Sequence, residues 1–451
     1  MKKLLSMILV LSTVLSITSC KYEEDDIWDQ SAAERIESLS KSYAQTLKDS
    51  KGGWAMEYYP TNTSTEVIGN GYLIMAKFNE NNTVATGMKN AFSNNNYISD
   101  FSTWEINKDQ GPVLSFSSYN NCIHVFADPY DLPFTGDANN DVNEEGKGAQ
   151  GDYEFMMVEV PADGDYVLLK GKKRGTYIRL TPVPEDTDFK TYIEDCQKAT
   201  ADFFPTTNSL EYTIVLPDSI ISTYEFASGL STLYPQGKDR VMTGEVNPYL
   251  VTKRNDTYSV RFRDKITLKD DSQIQEFTYN AEEDLFKSVE NESCYIDAPE
   301  LSSYFDSRLG ESKSWAMTSA NEMSSFYSSL YSSISTEFKS LMNSDLKTIS
   351  LRKTGNNLTL RLTYGSGIRQ QSLSFTIDSY KMEDGKFSIG NVTGDTTDAK
   401  TLLSSSNALQ SFVSLLKEAN TFAPTTTRYN PNTLKLINDN DAEKWVTLTL
   451  I

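Results

Sequence analysis

The sequence predicts an α+β fold, mainly antiparallel β, in which units of one helix followed by an antiparallel sheet recur along the chain. Short runs rich in Tyr, Phe, Val and Thr, several of them alternating apolar with polar residues, are separated by Gly, Asn and Pro turn signals. Apolar stripes at helical spacing open near residues 29 and 186 and again near 319. The 25 Tyr, 21 Phe and 5 Trp suit sheets with one packed and one wet face. The expected divisions are a signal segment at 1–19, an acidic tether at 20–28, a helix-plus-sheet domain at 29–185, a second such unit at 186–298 and a C-terminal α+β unit at 299–451.

The first 20 residues have the layout of a secretory signal. Lys2 and Lys3 precede an apolar run from Leu4 to Ile17, and Thr18 and Ser19 stand before Cys20. The run is shorter than the roughly 20 residues a spanning helix needs, so it reads as a segment that is removed. Its end resembles a lipobox. That resemblance implies cleavage before Cys20, acylation of its thiol and amino group, and a stable anchor, since several acyl chains hold where one is marginal. The same residues also fit a plain secreted protein that keeps Cys20 as a free thiol. Lys21 followed by Glu23-Glu24-Asp25-Asp26 resembles the surface-export signal of Bacteroidota lipoproteins, which implies an outer-membrane, cell-surface address. As bare chemistry it is a solvated, self-repelling tether.

Ser31 stands three residues before Glu34, a capping box, and Ile36, Leu39, Tyr43 and Leu47 then form one helical stripe that Gly52-Gly53 stops. Strands are expected at 54–60, 71–78, 83–86, 101–106, 113–117, 123–126, 153–160, 166–169 and 176–180, the last two joined by a turn at Gly171–Gly175. Three motifs in this region resemble a domain-of-unknown-function family of Bacteroidota lipoproteins: Gly52-Gly53-Trp54 with Tyr58-Tyr59-Pro60, Gly151-Asp152-Tyr153-Glu154-Phe155, and Leu168–Gly175. The resemblance is good over 29–185 and loose beyond. It implies genes beside a SusC-like TonB-dependent transporter and its SusD-like partner, often with a zinc metallopeptidase, and hence a nutrient-uptake setting. It transfers no catalytic residue.

From Asp186 the pattern restarts. Phe189, Tyr192, Ile193, Cys196, Ala199 and Phe203 predict a helix, followed by strands at 211–216, 250–253, 258–262, 275–279 and 286–289. The last third predicts helices over 319–342 and 399–419, strands at 348–352, 358–364 and 371–379, and a final hairpin of 433–437 with 445–450.

Removing residues 1–19 takes away Lys2 and Lys3 and leaves 40 basic against 62 acidic residues, a net charge of −22. That excludes nucleic acid as a partner, which demands a basic footprint. Three cysteines follow Cys20, too few for a disulfide scaffold; Cys122, Cys196 and Cys294 read as buried thiols, with pairing of any two left open. The single histidine, His124, lies in an alternating run and reads as a half-buried, hydrogen-bonded side chain; no Gly-x-Ser-x-Gly elbow accompanies it. No phosphate loop, dinucleotide fingerprint or His-Glu-x-x-His pair occurs, so no enzyme activity is expected and no cofactor is required.

One stretch has ligand-like spacing. Asp137, Asn139, Asp141 and Asn143 alternate as in a calcium loop, although Val142 stands where such a loop needs glycine and Gly148 where the bidentate glutamate belongs. A solvated acidic loop is the plainer reading. The Lys170–Arg174 cluster reads as an exposed turn that could meet an acidic partner or a sugar carboxylate. The expectation is therefore a lipid-anchored binding or accessory lipoprotein of a SusC/SusD-like system, holding a glycan or peptide. The alternative is a structural or assembly subunit of the transporter with no nutrient ligand of its own.

Overall fold

The computed structural model describes residues 30–61, 71–129, 148–205, 211–216, 221–226, 232–236, 247–254, 256–268, 270–310, 312–355, 357–365 and 370–451. The fold is mainly antiparallel β, in three sheets. Helix α1 (Ala32–Asp49) begins at the expected capping box, with Ser31 and Glu34 exchanging hydrogen bonds. The first sheet then runs through β1 (Trp54–Tyr59), β2 (Tyr72–Phe78), β3 (Thr83–Met88), β4 (Ile98–Lys108), β5 (Pro112–Phe116), β6 (Glu154–Glu159), β7 (Val167–Gly171) and β8 (Tyr177–Pro182). Each strand pairs with the next, and β8 returns to β1 with Trp54 opposite Pro182, closing a barrel.

Helix α2 (Phe189–Phe203) leads to a second closed barrel of the same up-and-down order. Its strands are β9 (Glu211–Val215), β10 (Ile221–Phe226), β11 (Thr232–Gln236), β12 (Asn247–Arg254), β13 (Thr257–Thr267), β14 (Gln273–Asn280), β15 (Leu285–Ser288) and β16 (Tyr295–Asp297). Closure comes from β16 pairing with β9, Ile296 opposite Ile214.

The C-terminal part departs from a helix-then-sheet order. After α3 (Leu301–Ser307) and β17 (Trp315–Met317) come α4 (Ser325–Met342), β18 (Leu346–Thr354), β19 (Asn357–Tyr364), β20 (Gln371–Ile377), β21 (Tyr380–Glu383), β22 (Lys386–Ile389) and β23 (Val392–Gly394). Then follow α5 (Thr397–Ser405), α6 (Asn407–Lys417), β24 (Asn420–Pro424), β25 (Thr433–Asn438) and β26 (Trp445–Leu450). They form one ten-stranded sheet in the order β21-β22-β24-β25-β26-β17-β18-β19-β20-β23. Residues of α4, α5 and α6 share a core with the Leu, Ile and Phe side chains of one sheet face.

Three expected elements are corrected. Residues 123–126 are not a strand: His124–Phe126 is a 3-10 helix, because the Asn120 carbonyl accepts from the backbone of Ile123 and His124 and folds the run into a turn. The helix expected from 319 starts at Ser325, since the Ser324 hydroxyl caps it and Thr318–Asn321 forms its own turn. The single helix expected over 399–419 is two, broken at Ser406, whose hydroxyl caps α6 and donates to Glu337 of α4.

Both barrels are filled from outside their own strands. Leu47 of α1 is fully buried in the core of the first barrel, and its carbonyl accepts the Trp54 indole N–H at 2.9 Å. The preceding Gly52 is forced: a Cβ there would lie 1.9 Å from the Pro184 carbonyl oxygen. Helix α2 joins the barrels. Its Tyr192, Ile193 and Cys196 cover Ala55 and Met75 on the outside of the first, while Phe203 and the following Phe204 enter the core that includes the second. The second barrel also receives Tyr429, from the segment between β24 and β25. Tyr429 stacks on Tyr212 with centroids 6.2 Å apart, its hydroxyl donates to the Ile296 carbonyl at 2.5 Å, and that hydroxyl accepts from Phe286 N–H at 2.9 Å. Asn430 beside it accepts from Tyr304 and Arg308 and donates to the Ala201 carbonyl.

A charged cluster is buried where the barrels meet. Glu57 on β1, 1% exposed, lies 3.4 Å from Arg261 on β13, which also pairs with Glu276 on β14. Burial pushes the Glu57 carboxyl above its ordinary value against the pull of Arg261 and Arg179. The three buried cysteines are free thiols, and burial raises Cys122 to about 11 and Cys196 to about 12.

Two stability outcomes follow. Tyr429→Ala should cost about 3–5 kcal/mol, as large-to-small core changes do, and Tyr429→Phe about 1–3 kcal/mol, because the Phe286 N–H loses its acceptor; chemical denaturation measures both. Arg261→Met should cost about 3–5 kcal/mol by stranding buried Glu57, whereas the double variant Glu57→Met/Arg261→Met should recover more than half of that loss. An equal loss in single and double variants would show that the pair does not act as a unit.

Candidate functional site: an aromatic platform on the first barrel

Asn120 organises the site. Its side chain is fully buried: Oδ1 accepts from Cys122 N–H and the Thr86 hydroxyl, both at 2.9 Å, and Nδ2 donates to the Ser102 hydroxyl at 3.0 Å. Its backbone N–H donates to His124 Nδ1 at 3.1 Å. A buried amide with both its ends engaged fixes the turn 119–124 rigidly, and with it the directions of Tyr119 and His124.

The second half comes from Gly151-Asp152-Tyr153. The Tyr58 hydroxyl inside the barrel donates to the Asp152 carbonyl at 2.8 Å and accepts from Asp152 N–H at 2.9 Å. A Cβ on Gly151 would lie 2.2 Å from that hydroxyl, so glycine is required. The Asp152 carboxylate accepts from the backbone N–H groups of Lys173 and Arg174 at 3.0 Å and from the Thr176 hydroxyl at 2.8 Å. One carboxylate thus ties the β7–β8 turn to the start of β6, and the next residue, Tyr153, is held outward.

The result is a stack of three rings. His124 lies on Tyr153 with centroids 4.7 Å apart and planes 17° apart, and Tyr119 lies 5.0 Å from His124 at 32°. Tyr119 is 62% exposed and Tyr153 43%. Burial holds the imidazole of His124 below its ordinary value, so at neutral pH it is uncharged. With Nδ1 accepting, the proton sits on Nε2. An uncharged, preorganised stack with a free donor suits apolar ring faces that also carry hydroxyl groups.

The structure brings together three features that the sequence presents apart: His124, the Gly151–Tyr153 motif and the Lys170–Gly175 turn. Within that turn Lys172 pairs with Asp109 at 2.9 Å. Tyr119 and Asn120 carry no motif; the only hint is the crowding of aromatic and amide residues around the histidine. Cys20 and the calcium candidates Asp137, Asn139, Asp141 and Asn143 lie outside the described residues. Among the described residues no group of three or more His, Cys, Asp or Glu side chains is placed to hold a metal, and no helix is long and apolar enough to cross a membrane.

Comparison with known proteins adds a family and little else. No curated protein matches the chain. A solved structure, "The Structure of Intact Ap-TbpB (N and C lobes)", aligns at 8% identity with a TM-score of 0.11, covering 88% of this chain and 66% of that one, a likeness too weak to carry an argument. The domain of unknown function DUF4302 matches residues 24–281, from before α1 to just past β14. Spanning the ring stack, the whole first barrel and most of the second, that match is long enough to place the chain, which belongs to the DUF4302 family.

Proposed function

We propose that the protein is a lipoprotein held to the outer membrane through Cys20, exposed at the cell surface, and binding a glycan or peptide for a SusC/SusD-like uptake system. It acts as a binder, not an enzyme. The observation that carries the ligand-binding part is the exposed stack of Tyr119, His124 and Tyr153 on a fully hydrogen-bonded support. The anchor rests on the signal layout ending at Ser19-Cys20 and on the lysine-plus-acidic run that follows. We favour a saccharide over a peptide, because the ring stack is uncharged and exposes two tyrosines, a surface that sugar ring faces pack against.

A recurring helix-plus-sheet device belongs to the same proposal. Trp54-Ala55-Met56 and Trp315-Ala316-Met317 each start a sheet after a helix, and the indole of each Trp donates to a carbonyl of that helix, Leu47 at 2.9 Å and Phe305 at 3.0 Å.

A second reading, an assembly subunit without a nutrient ligand, is favoured by Met156 and Val158, which are 39% and 63% exposed on β6. Such apolar residues suit a protein partner.

Glycan arrays and pull-downs with the mature chain carrying Cys20→Ser separate the two. Under the binding reading Tyr119→Ala/Tyr153→Ala weakens glycan retention about tenfold or more without unfolding the barrel. Retention of no glycan, together with co-purification of a transporter through the β6 face, would favour the assembly subunit. The stack also sets a pH dependence. The unfolded chain takes up a proton on His124 near 6.5, while the folded chain resists it. Stability from this group is therefore full above that value and is lost as the pH falls toward the lower folded value. Denaturation of His124→Gln against the parent at pH 7.5 and 5.5 should show a smaller loss on acidification in the variant.

A further inference from the structure

The outer face of the C-terminal sheet carries a second surface, separate from the ring stack. Ile349, Leu351, Leu358, Leu360, Leu362, Leu373 and Phe375 point to the helix-covered core, so the residues between them line the opposite face. Register aligns those residues in rows. Thr433 lies opposite Thr449, Thr449 opposite Ala316, Ala316 opposite Ser350, Ser350 opposite Arg361, and Arg361 opposite Ser374. In the next row Arg352 lies opposite Thr359 and Thr359 opposite Thr376. Hydroxyl-bearing residues dominate the β18–β20 part of this face, with two arginines at its middle, while Lys435, Ile437 and Trp445 share the β25–β26 part. Ser350, Thr359 and Thr447 are nearly buried, whereas Thr433, Thr449, Ser374 and Thr376 are more open. Beside them lies a hollow of about 450 Å³ lined chiefly by Thr318, Asn321, Thr433, Thr447 and Thr449, with one carboxylate, Glu322, on its wall.

Arg361 is the central cation of the face. Arg352 is its diagonal neighbour across the strand pair, a spacing of roughly 7–8 Å between backbones, so two cations crowd one patch. Arg361 Nε is buried without a hydrogen-bond partner, and the side chain forms no ion pair with any described carboxylate. Burial and the Arg352 charge both hold its guanidinium below its ordinary value. Partly exposed and without an ion pair to a described carboxylate, this cation is placed to take an external anion.

We propose that Arg361, with Arg352 beside it and the threonine-lined hollow next to it, binds an oxyanion-bearing saccharide, its carboxylate or sulfate on the guanidinium and its hydroxyls along the Ser and Thr rows. A guanidinium fork matches a planar carboxylate or a sulfate edge in two hydrogen bonds. The more open hydroxyls of the face match sugar hydroxyls. A densely charged nucleic acid is disfavoured by the net charge of the chain. The site does not depend on the ring stack.

The test is native affinity electrophoresis of the mature chain carrying Cys20→Ser, in gels holding polygalacturonate, dextran sulfate or uncharged dextran. Retardation by at least one of the two anionic polymers and not by dextran is expected, and which of the two acts identifies carboxylate or sulfate. Arg361→Gln should weaken it at least about tenfold, the loss expected for a charge-assisted pair. Parent and variants are compared in the Tyr119→Ala/Tyr153→Ala background, which removes the stack's own glycan contacts and keeps failure of this site distinct from failure of the stack. Ser374→Asp guards against a misfolded Arg361→Gln: by giving Arg361 an internal carboxylate it should raise Tm and abolish retardation. No retardation of the parent by either anionic polymer, equal retardation by dextran, or undiminished retardation of Arg361→Gln or Ser374→Asp would each overturn the proposal.

Discussion

A sheet closed on itself has no free edge, but it has an interior that must be filled and ends that must be stopped. That requirement organises the molecule. The first barrel takes Leu47 from the helix before it, and the second takes Phe203 and Phe204 from the helix between the barrels and Tyr429 from far along the chain. Because Tyr429 sits between two strands of the C-terminal sheet, the second barrel and that sheet share one continuous core. Neither can lose its packing without disturbing the other.

The polar contacts across the joints add geometry more than strength. Glu57, Arg261 and Glu276 leave water where the barrels meet, and such burial repays little net energy. What it does is penalise every relative setting of the barrels that would strand a charge. The Tyr192 hydroxyl reinforces this by exchanging hydrogen bonds with the backbone of Lys253 on β12, at 2.7 and 3.0 Å.

Much of this was legible in the chain, for reasons that differ by element. Helices α1 and α2 announce themselves because one apolar stripe and one capping residue suffice to specify each. Most strands of the first barrel are equally plain. Its closure is not, since the pairing of β1 with β8 joins residues far apart in sequence. Strands β10, β11, β16, β17 and β21 to β24 carry no such signal, most of them being short and with few apolar residues to mark a face. The misread run at 123–126 alternates as a strand would, but a buried amide at Asn120 wins the backbone for a turn. The site was visible only in pieces. Gly151, Asp152 and the turn at 171–175 read as family motifs, yet nothing in their spacing says that they exist to hold Tyr153 against His124.

Closure has a further consequence for how the chain can be divided. The sequence likeness that defines the family ends at residue 281, whereas β15 and β16, which seal the second barrel against β9, lie beyond it. A fragment cut at that boundary would turn β9 and β14 into bare edges, the templates on which chains aggregate. The unit that evolution marks by similarity and the unit that folds are thus different lengths, and a soluble piece of this protein has to be cut by hydrogen bonds, not by homology.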